Sequence, residues 1–201
     1  MDEEVSNNSV TLRGCVSQAP RLSHRSRGEE FYQFAMEVSR LSGAVDTIQV
    51  LARDKLLDAL EVGGGKLRVT GELRSFNNRS GTGPKLVITV FARTLAFEDG
   101  PDENAIALRG TLCKAPNYRV TPMGREICDL MLAVNRRYGR SDYLPCIAWG
   151  LTARETASWN VGTAVGLNGR VQSRVYTKAV DGEPVEKVAY EVSVIRAFAE
   201  D

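Results

Sequence analysis

Two stretches of this chain repeat each other, and that repeat limits the possible folds more than any other feature. Leu12-Arg13-Gly14 recurs as Leu108-Arg109-Gly110 and Ala19-Pro20 as Ala115-Pro116, in both cases 96 residues on. The register continues without a gap, with Glu30 falling on Glu126, Val38 on Val134, Arg40 on Arg136 and Ala52 on Ala148. From Gly71 to Gly169 the offset is 98, a change that a loop absorbs. Such a period in 201 residues predicts two copies of one small unit, 1–100 and 101–201. They divide at Asp99-Gly100-Pro101-Asp102-Glu103, where turn formers and acids interrupt the apolar pattern.

Each copy reads as short strands with one helix. In the second, Ile106, Leu108, Gly110 and Leu112 alternate with small or polar residues, as a strand with one buried face requires. Leu130, Leu132 and Val134 alternate in the same way, and Leu144 to Trp149 is a dense apolar run. Pro122-Met123-Gly124 supplies a turn, and Arg136 to Asp142 is too polar for core, so it reads as a projecting hairpin loop. Thr152 to Trp159 predicts a helix, with Thr152 as its cap and Glu155 three residues later. Val165–Val175 and Val188–Ile195 follow as strands joined by a turn at Asp181-Gly182. The first copy keeps this order, its helix at Lys55–Glu61 and its stop at Gly63-Gly64-Gly65. Three strands, a helix and two strands predict an all-β chain of two tandem five-stranded oligonucleotide-binding (OB) barrels, each with one short helix between strands 3 and 4.

Composition narrows the function. Hydrophobic residues at 43% and charged residues at 25% are those of a folded globular protein. No apolar run approaches the roughly 18 residues of a membrane span, and Met1-Asp2-Glu3-Glu4 is acidic where a secretory leader would be basic, so a cytoplasmic protein is expected. Cys15, Cys113, Cys128 and Cys146 form no Cys-x-x-Cys pair and His24 is the single histidine, which predicts free, mostly buried thiols and neither metal nor cofactor. No carboxylate pair stands at metal spacing, and Gly63-Gly64-Gly65-Lys66 follows a helix where a phosphate loop would open one, so no enzyme is expected. Net charge is only +1, yet eleven basic residues face five acidic ones between Glu103 and Lys178. Taken alone, that excess favours a solvated surface over a polyanion site.

The second copy resembles the bacterial single-stranded DNA-binding protein family. The resemblance is carried by Leu108-Arg109-Gly110, Ala115-Pro116, Arg119, Thr121-Pro122 with Gly124, and Leu132-Ala133-Val134-Asn135-Arg136. It continues through Leu144-Pro145-Cys146-Ile147-Ala148-Trp149-Gly150, Gly169-Arg170-Val171-Gln172-Ser173-Arg174 with Tyr176, and Glu191-Val192. It implies a protein that binds and protects single-stranded DNA with little sequence preference, in replication, recombination or repair. A sequence-tolerant site needs flat rings for bases beside cations for phosphates. The resemblance puts the rings at Tyr143 and Trp149 on the third strand and Tyr176 after the fourth. Tyr143 and Trp149 are six apart and so share a strand face. Periodicity alone favours a core position for Trp149, and the resemblance reverses that preference. Tyr138, in the basic loop, is either a stacking ring or merely exposed, and Trp159 reads as packing against the barrel. For phosphates the candidates are Arg109, Arg119, Arg136, Arg137, Arg140, Arg174 and Lys178.

The first copy departs from the pattern: Thr47 stands where Tyr143 does, Arg53 where Trp149 does, and Asn78 where Tyr176 does. Its rings are missing, so it is expected to bind weakly or differently and to serve mainly in assembly, with Phe76, Arg74 and Arg79 giving limited contact. The resemblance further implies a homodimer presenting four barrels. The acidic tip through which family members recruit enzymes is not seen after Phe198, so recruitment by that route is not expected. The alternative on the same barrel is a primosome-type adaptor acting mainly through protein docking.

Overall fold

The computed structural model describes residues 6–60, 65–79, 84–136 and 138–200. Its first half runs β1 (Asn8–Ser26), β2 (Glu29–Ser39), β3 (Val45–Arg53), a 3-10 helix (Asp54–Leu60), β4 (Leu67–Asn77) and β5 (Leu86–Phe97). The second runs β6 (Glu103–Leu112), β7 (Asn117–Val120), β8 (Glu126–Asn135), β9 (Ser141–Trp149), α1 (Gly150–Thr156), β10 (Ala164–Val180) and β11 (Glu183–Ala199). In the first half β1 pairs with β2 and β2 with β3; β3 runs parallel to β5, β5 pairs with β4, and β4 returns to β1. That circuit is a closed five-strand barrel, and its closure removes free edges. In the second half β6 pairs with β8, β8 with β9, β9 runs parallel to β11, β11 pairs with β10, and β10 with β6.

The all-β expectation is met, with differences that have local causes. The second copy's opening strand is split into β6 and β7 at Cys113–Pro116, where Pro116 has no N–H to give. In the first copy β1 passes Pro20 unbroken by slipping register between Gln18 and Arg21. The helix expected from Thr152 begins at Gly150, directly after β9, so Thr152 lies inside it and no side chain caps it. The helix expected at Lys55–Glu61 is a 3-10 helix, Asp54–Leu60. Trp159 is half-buried and packs on the core, as its neighbours suggested. Cys128 and Cys146 are buried, Cys113 is partly so and Cys15 is exposed; burial pushes the Cys146 and Cys128 thiols up.

The repeated glycines mark places where strands cross closely. A Cβ on Gly169 would lie 2.3 Å from the Ser193 carbonyl oxygen, and one on Gly71 would lie 2.1 Å from that of Phe91. Gly110 and Gly14 have the same relation to Ala133 and Glu37, at 2.4 and 2.2 Å. Gly169→Ala must therefore spread β10 from β11, at a cost of about 2 kcal/mol. The expected result is a melting temperature lower by roughly 4–8 °C; an unchanged thermal melt would contradict this crossing.

The two halves share one sheet. β1 and β6 pair antiparallel from Asn8 opposite Leu108 to Arg13 opposite Glu103, which joins eleven strands. The intervening turn is fixed to the first half: Lys66 Nζ lies 2.7 Å from Asp102 and donates to the Gly100 carbonyl, while Arg13 pairs with Glu98 and donates to Pro101. Apolar side chains from both halves fill the core, among them Leu12, Phe34 and Leu73 from one and Leu108, Leu132 and Leu167 from the other.

Candidate nucleic-acid interface

Strand β9 sorts its side chains by strict alternation over most of its length. Leu144, Cys146 and Ala148 point into the core, while Tyr143 and Trp149 face outward, 51% and 37% exposed. The two rings thus share an outer face, with half-buried Pro145 and buried Ile147 between them. Gly150, at φ +55°, lets the chain turn out of β9 directly behind Trp149.

Trp149 borders a cleft of ≈ 390 Å³ whose other walls come from β10, β11, the turn before β8 and, in the first half, Arg40 just after β2. Four guanidinium groups line it, those of Arg125, Arg170, Arg174 and Arg40. Arg174 lies 3.4 Å from Glu191 and its guanidinium carbon 5.7 Å from the centre of the Tyr176 ring. Arg125 and Arg170 have no carboxylate partner among the described residues, and Arg170 Nε is buried without an acceptor. Of the expected residues the cleft gathers Trp149 and Arg174. Arg125, Arg170 and Arg40 are not among the expected phosphate contacts, although Arg170 stands in a motif that carries the resemblance and Arg40 in the repeat.

The hairpin loop is less free than its composition suggests. Asp142 is fully buried; it accepts from Arg136 Nε at 2.6 Å, from Arg136 through a second nitrogen, and from the Ser75 backbone N–H at 2.6 Å. Arg136 also donates to the Ser75 carbonyl at 3.2 Å. Arg136, expected on phosphates, thus spends its donors on a clasp between β9 and β4 of the other half. The clasp recurs with the halves exchanged: Arg40 pairs with the fully buried Asp46, which accepts from the Ser173 N–H at 2.9 Å. At the tip Tyr138 is fully exposed with φ +71°, followed by Gly139 at φ +75°.

The remaining expected residues are scattered. Arg119 pairs with Asp129 at 2.9 Å, and Arg109 lies on β6, 3.2 Å from Glu200; neither borders the cleft. Arg140 is exposed beside Tyr138. Arg137 lies outside the described residues, as does the side chain of Lys178, whose backbone pairs with Val185.

The first half carries an aromatic cluster that position-by-position comparison did not reveal. Phe91 has the guanidinium carbons of Arg74, Arg53 and Arg93 at 4.7, 5.4 and 5.7 Å from its ring centre. Phe31 lies 6.3 Å from Phe91 and stacks on His24 at 4.8 Å. Burial opposes ionisation of Glu72, yet Arg93 and Arg74 outweigh it and hold that carboxyl below the ordinary range. Among the described residues no helix is long and apolar enough to cross a membrane, and no group of His, Cys, Asp or Glu could hold a metal ion.

Comparison with known proteins agrees with the second half's pattern. The family model described as the single-strand binding protein family matches residues 103–197. The single-stranded DNA-binding protein B of Bacillus subtilis is 38% identical over 80 residues, covering 36% of this chain and 71% of that protein. The chain belongs to the single-strand binding protein family. Single-stranded DNA-binding protein 2 of Listeria innocua is 34% identical over 89 residues, 41% of this chain; the match spans about half of that relative's length, 55%. Single-strand binding proteins are binders without catalytic activity, and this chain is not an enzyme. The family's fold extends across both halves: the wild-type single-stranded DNA-binding protein from Thermus aquaticus superposes with a TM-score of 0.78 over 96% of this chain and 93% of that one, at 20% identity.

Proposed function

We propose that the chain binds single-stranded DNA largely without sequence preference, by stacking bases on outward rings of the second half and holding phosphates with the arginines around them. The observation that carries this reading is the cleft in which exposed Trp149 stands among four arginines, with Arg125 and Arg170 free of carboxylates among the described residues. Unpaired cations beside an exposed ring are free to meet phosphates, and stacking tolerates any base because every base has a flat face. Tyr143 on the same strand face and Tyr176 beneath Arg174 extend the ring set. The named activity of the relatives supports the same reading.

On this reading the chain divides near residue 100 into two OB barrels. The equivalent strand pairings of the halves support that division. The clasp residues Arg136 and Arg40 hold the halves together. We further propose a cytoplasmic role in replication, recombination or repair as a homodimer of four barrels, assignments that rest on the family alone.

Salt dependence tests the phosphate part. Each phosphate contact on a single strand contributes about 0.7 to the slope of log affinity against log salt. Arg125→Ala and Arg170→Ala are each expected to lower that slope by about 0.7 for oligothymidine, whereas Arg109→Ala, outside the cleft, leaves it unchanged. Equal slopes in all three variants would remove the cleft from the binding path.

A further inference from the structure

A groove of ≈ 1040 Å³ lies mainly on the first half and has no assigned role. Its position is equivalent to that of the Trp149 cleft. Arg53 faces Phe31 across β2 and β3 as Trp149 faces Ile127 across β8 and β9. Phe91 meets Leu51 in the parallel contact where Ser193 meets Ile147, and Glu72 faces Phe91 as Arg170 faces Ser193. Ring and cation have therefore changed places: a guanidinium stands where the tryptophan does, and an aromatic ring backs it from the next strand. Arg53, Arg74 and Arg93 all lie within 6 Å of the Phe91 ring centre, at 5.4, 4.7 and 5.7 Å. Guanidinium planes stack on unpaired bases as aromatic rings do, and they add charge for phosphates.

The groove is not built by one half. Its rim includes Arg136 and Tyr138 from the hairpin of the second half. The reciprocal clasp brings them there, since Asp142 and Arg136 tie the base of that hairpin to Ser75. Tyr138 is fully exposed in a left-handed turn closed by the Arg136 N–H on the Arg140 carbonyl, an arrangement that spends backbone strain to present a large ring to solvent. Four arginines line the groove; Arg53 pairs with Glu29, Arg74 and Arg93 share Glu72, and Arg136 is held by Asp142, which leaves four cations against three carboxylates and a weakly positive field.

We propose that this groove is a second seat for single-stranded nucleic acid, composite between the halves, in which arginine planes backed by Phe91 form the floor and Tyr138 supplies the stacking ring that the first half lacks. The proposal rests on the single-strand reading above and adds the place, the construction and the ring of a second site. It also gives the exposed hairpin tip a use distinct from the Trp149 cleft.

The test uses the full chain with Trp149→Phe, Trp159→Phe and Tyr138→Trp, so that the sole tryptophan reports from the hairpin tip. Titration with oligothymidine is expected to quench its emission. Adding Arg93→Glu, at an exposed position where the arginine pairs with Glu72 and with an unchanged thermal melt as the check on folding, is expected to raise the midpoint of that quench about tenfold or more, and Arg93→Lys is expected to restore it. In the chain that keeps Trp149 and Tyr138, Arg93→Glu is expected to move the Trp149 midpoint for a short oligothymidine less than about twofold, since phosphate contacts act locally. An unquenched tip in the presence of an oligomer that saturates Trp149 would overturn the proposal alone. So would a tip quenched equally with and without Arg93→Glu. If neither Trp149 nor the tip responds to oligothymidine, the single-strand reading falls and takes this proposal with it.

Discussion

Asp142→Ala is expected to destabilise the chain by about 3–5 kcal/mol, because it strands a half-buried guanidinium and a buried backbone N–H at once. Asp142 is completely inaccessible and joins Arg136 of its own half to Ser75 of the other. Without it, Arg136 retains its charge among groups that give only a carbonyl in return. The expected fall in melting temperature is roughly 6–20 °C, the range that 3–5 kcal/mol gives in a chain of this size. Asp46→Ala is expected to cost a similar amount, since Arg40 and Ser173 repeat the arrangement. The double substitution Arg136→Gln with Asp142→Asn keeps amide hydrogen bonds and leaves no unpaired charge, so it costs less than Asp142→Ala alone. Thermal unfolding of these chains checks the clasp directly; a melt of Asp142→Ala within about 2 °C of the parent would mean that the pair contributes nothing.

The second large effect concerns binding. Trp149→Ala is expected to weaken affinity for a labelled oligothymidine by about 5- to 150-fold, the equivalent of one stacked base at 1–3 kcal/mol. Trp149 is 37% exposed, and its loss removes a ring at the border of the cleft, not a core side chain. The melting temperature is accordingly expected to change little, which separates this variant from Asp142→Ala. Fluorescence anisotropy measures the affinity. A loss of less than about twofold would show that bases stack elsewhere.

Much of the fold was legible because the repeat and the turn chemistry are local. Asp181-Gly182 announces the hairpin between β10 and β11, and both residues adopt positive φ there, 52° and 84°. Leu144, Cys146 and Ala148 against Tyr143 and Trp149 show β9's two faces through alternation alone. The extra break at Cys113–Pro116 was less legible, since Pro20 sits in the same motif without breaking β1. The difference lies in bulges, which depend on the partner strand.

The candidate site was only half readable, because its cations meet through tertiary contacts. Arg125 in a turn and Arg170 on β10 are 45 positions apart, and no local pattern joins them to Trp149. Arg136 looked like one more loop cation, since nothing near it in sequence reveals Ser75. A signal was nevertheless present: Arg40 and Asp46 recur as Arg136 and Asp142, and Ser75 recurs as Ser173 at the 98-residue offset seen for Gly71 and Gly169. Residues kept in both copies while rings and loop charges changed are those that join the copies. The Phe91 cluster escaped for the opposite reason: comparison at Trp149's position finds Arg53 and registers a missing ring, whereas the ring sits on a strand that approaches only in the folded barrel.

The central claim is that Trp149 lies open among guanidinium groups that grip unpaired strands. Its most direct test is the emission of a Trp159→Phe chain, in which Trp149 is the sole tryptophan, titrated with oligothymidine at several salt concentrations. The account predicts saturable quenching whose midpoint rises steeply with salt. Emission that stays unchanged at low salt, up to oligomer concentrations that saturate ordinary specific complexes, would contradict it.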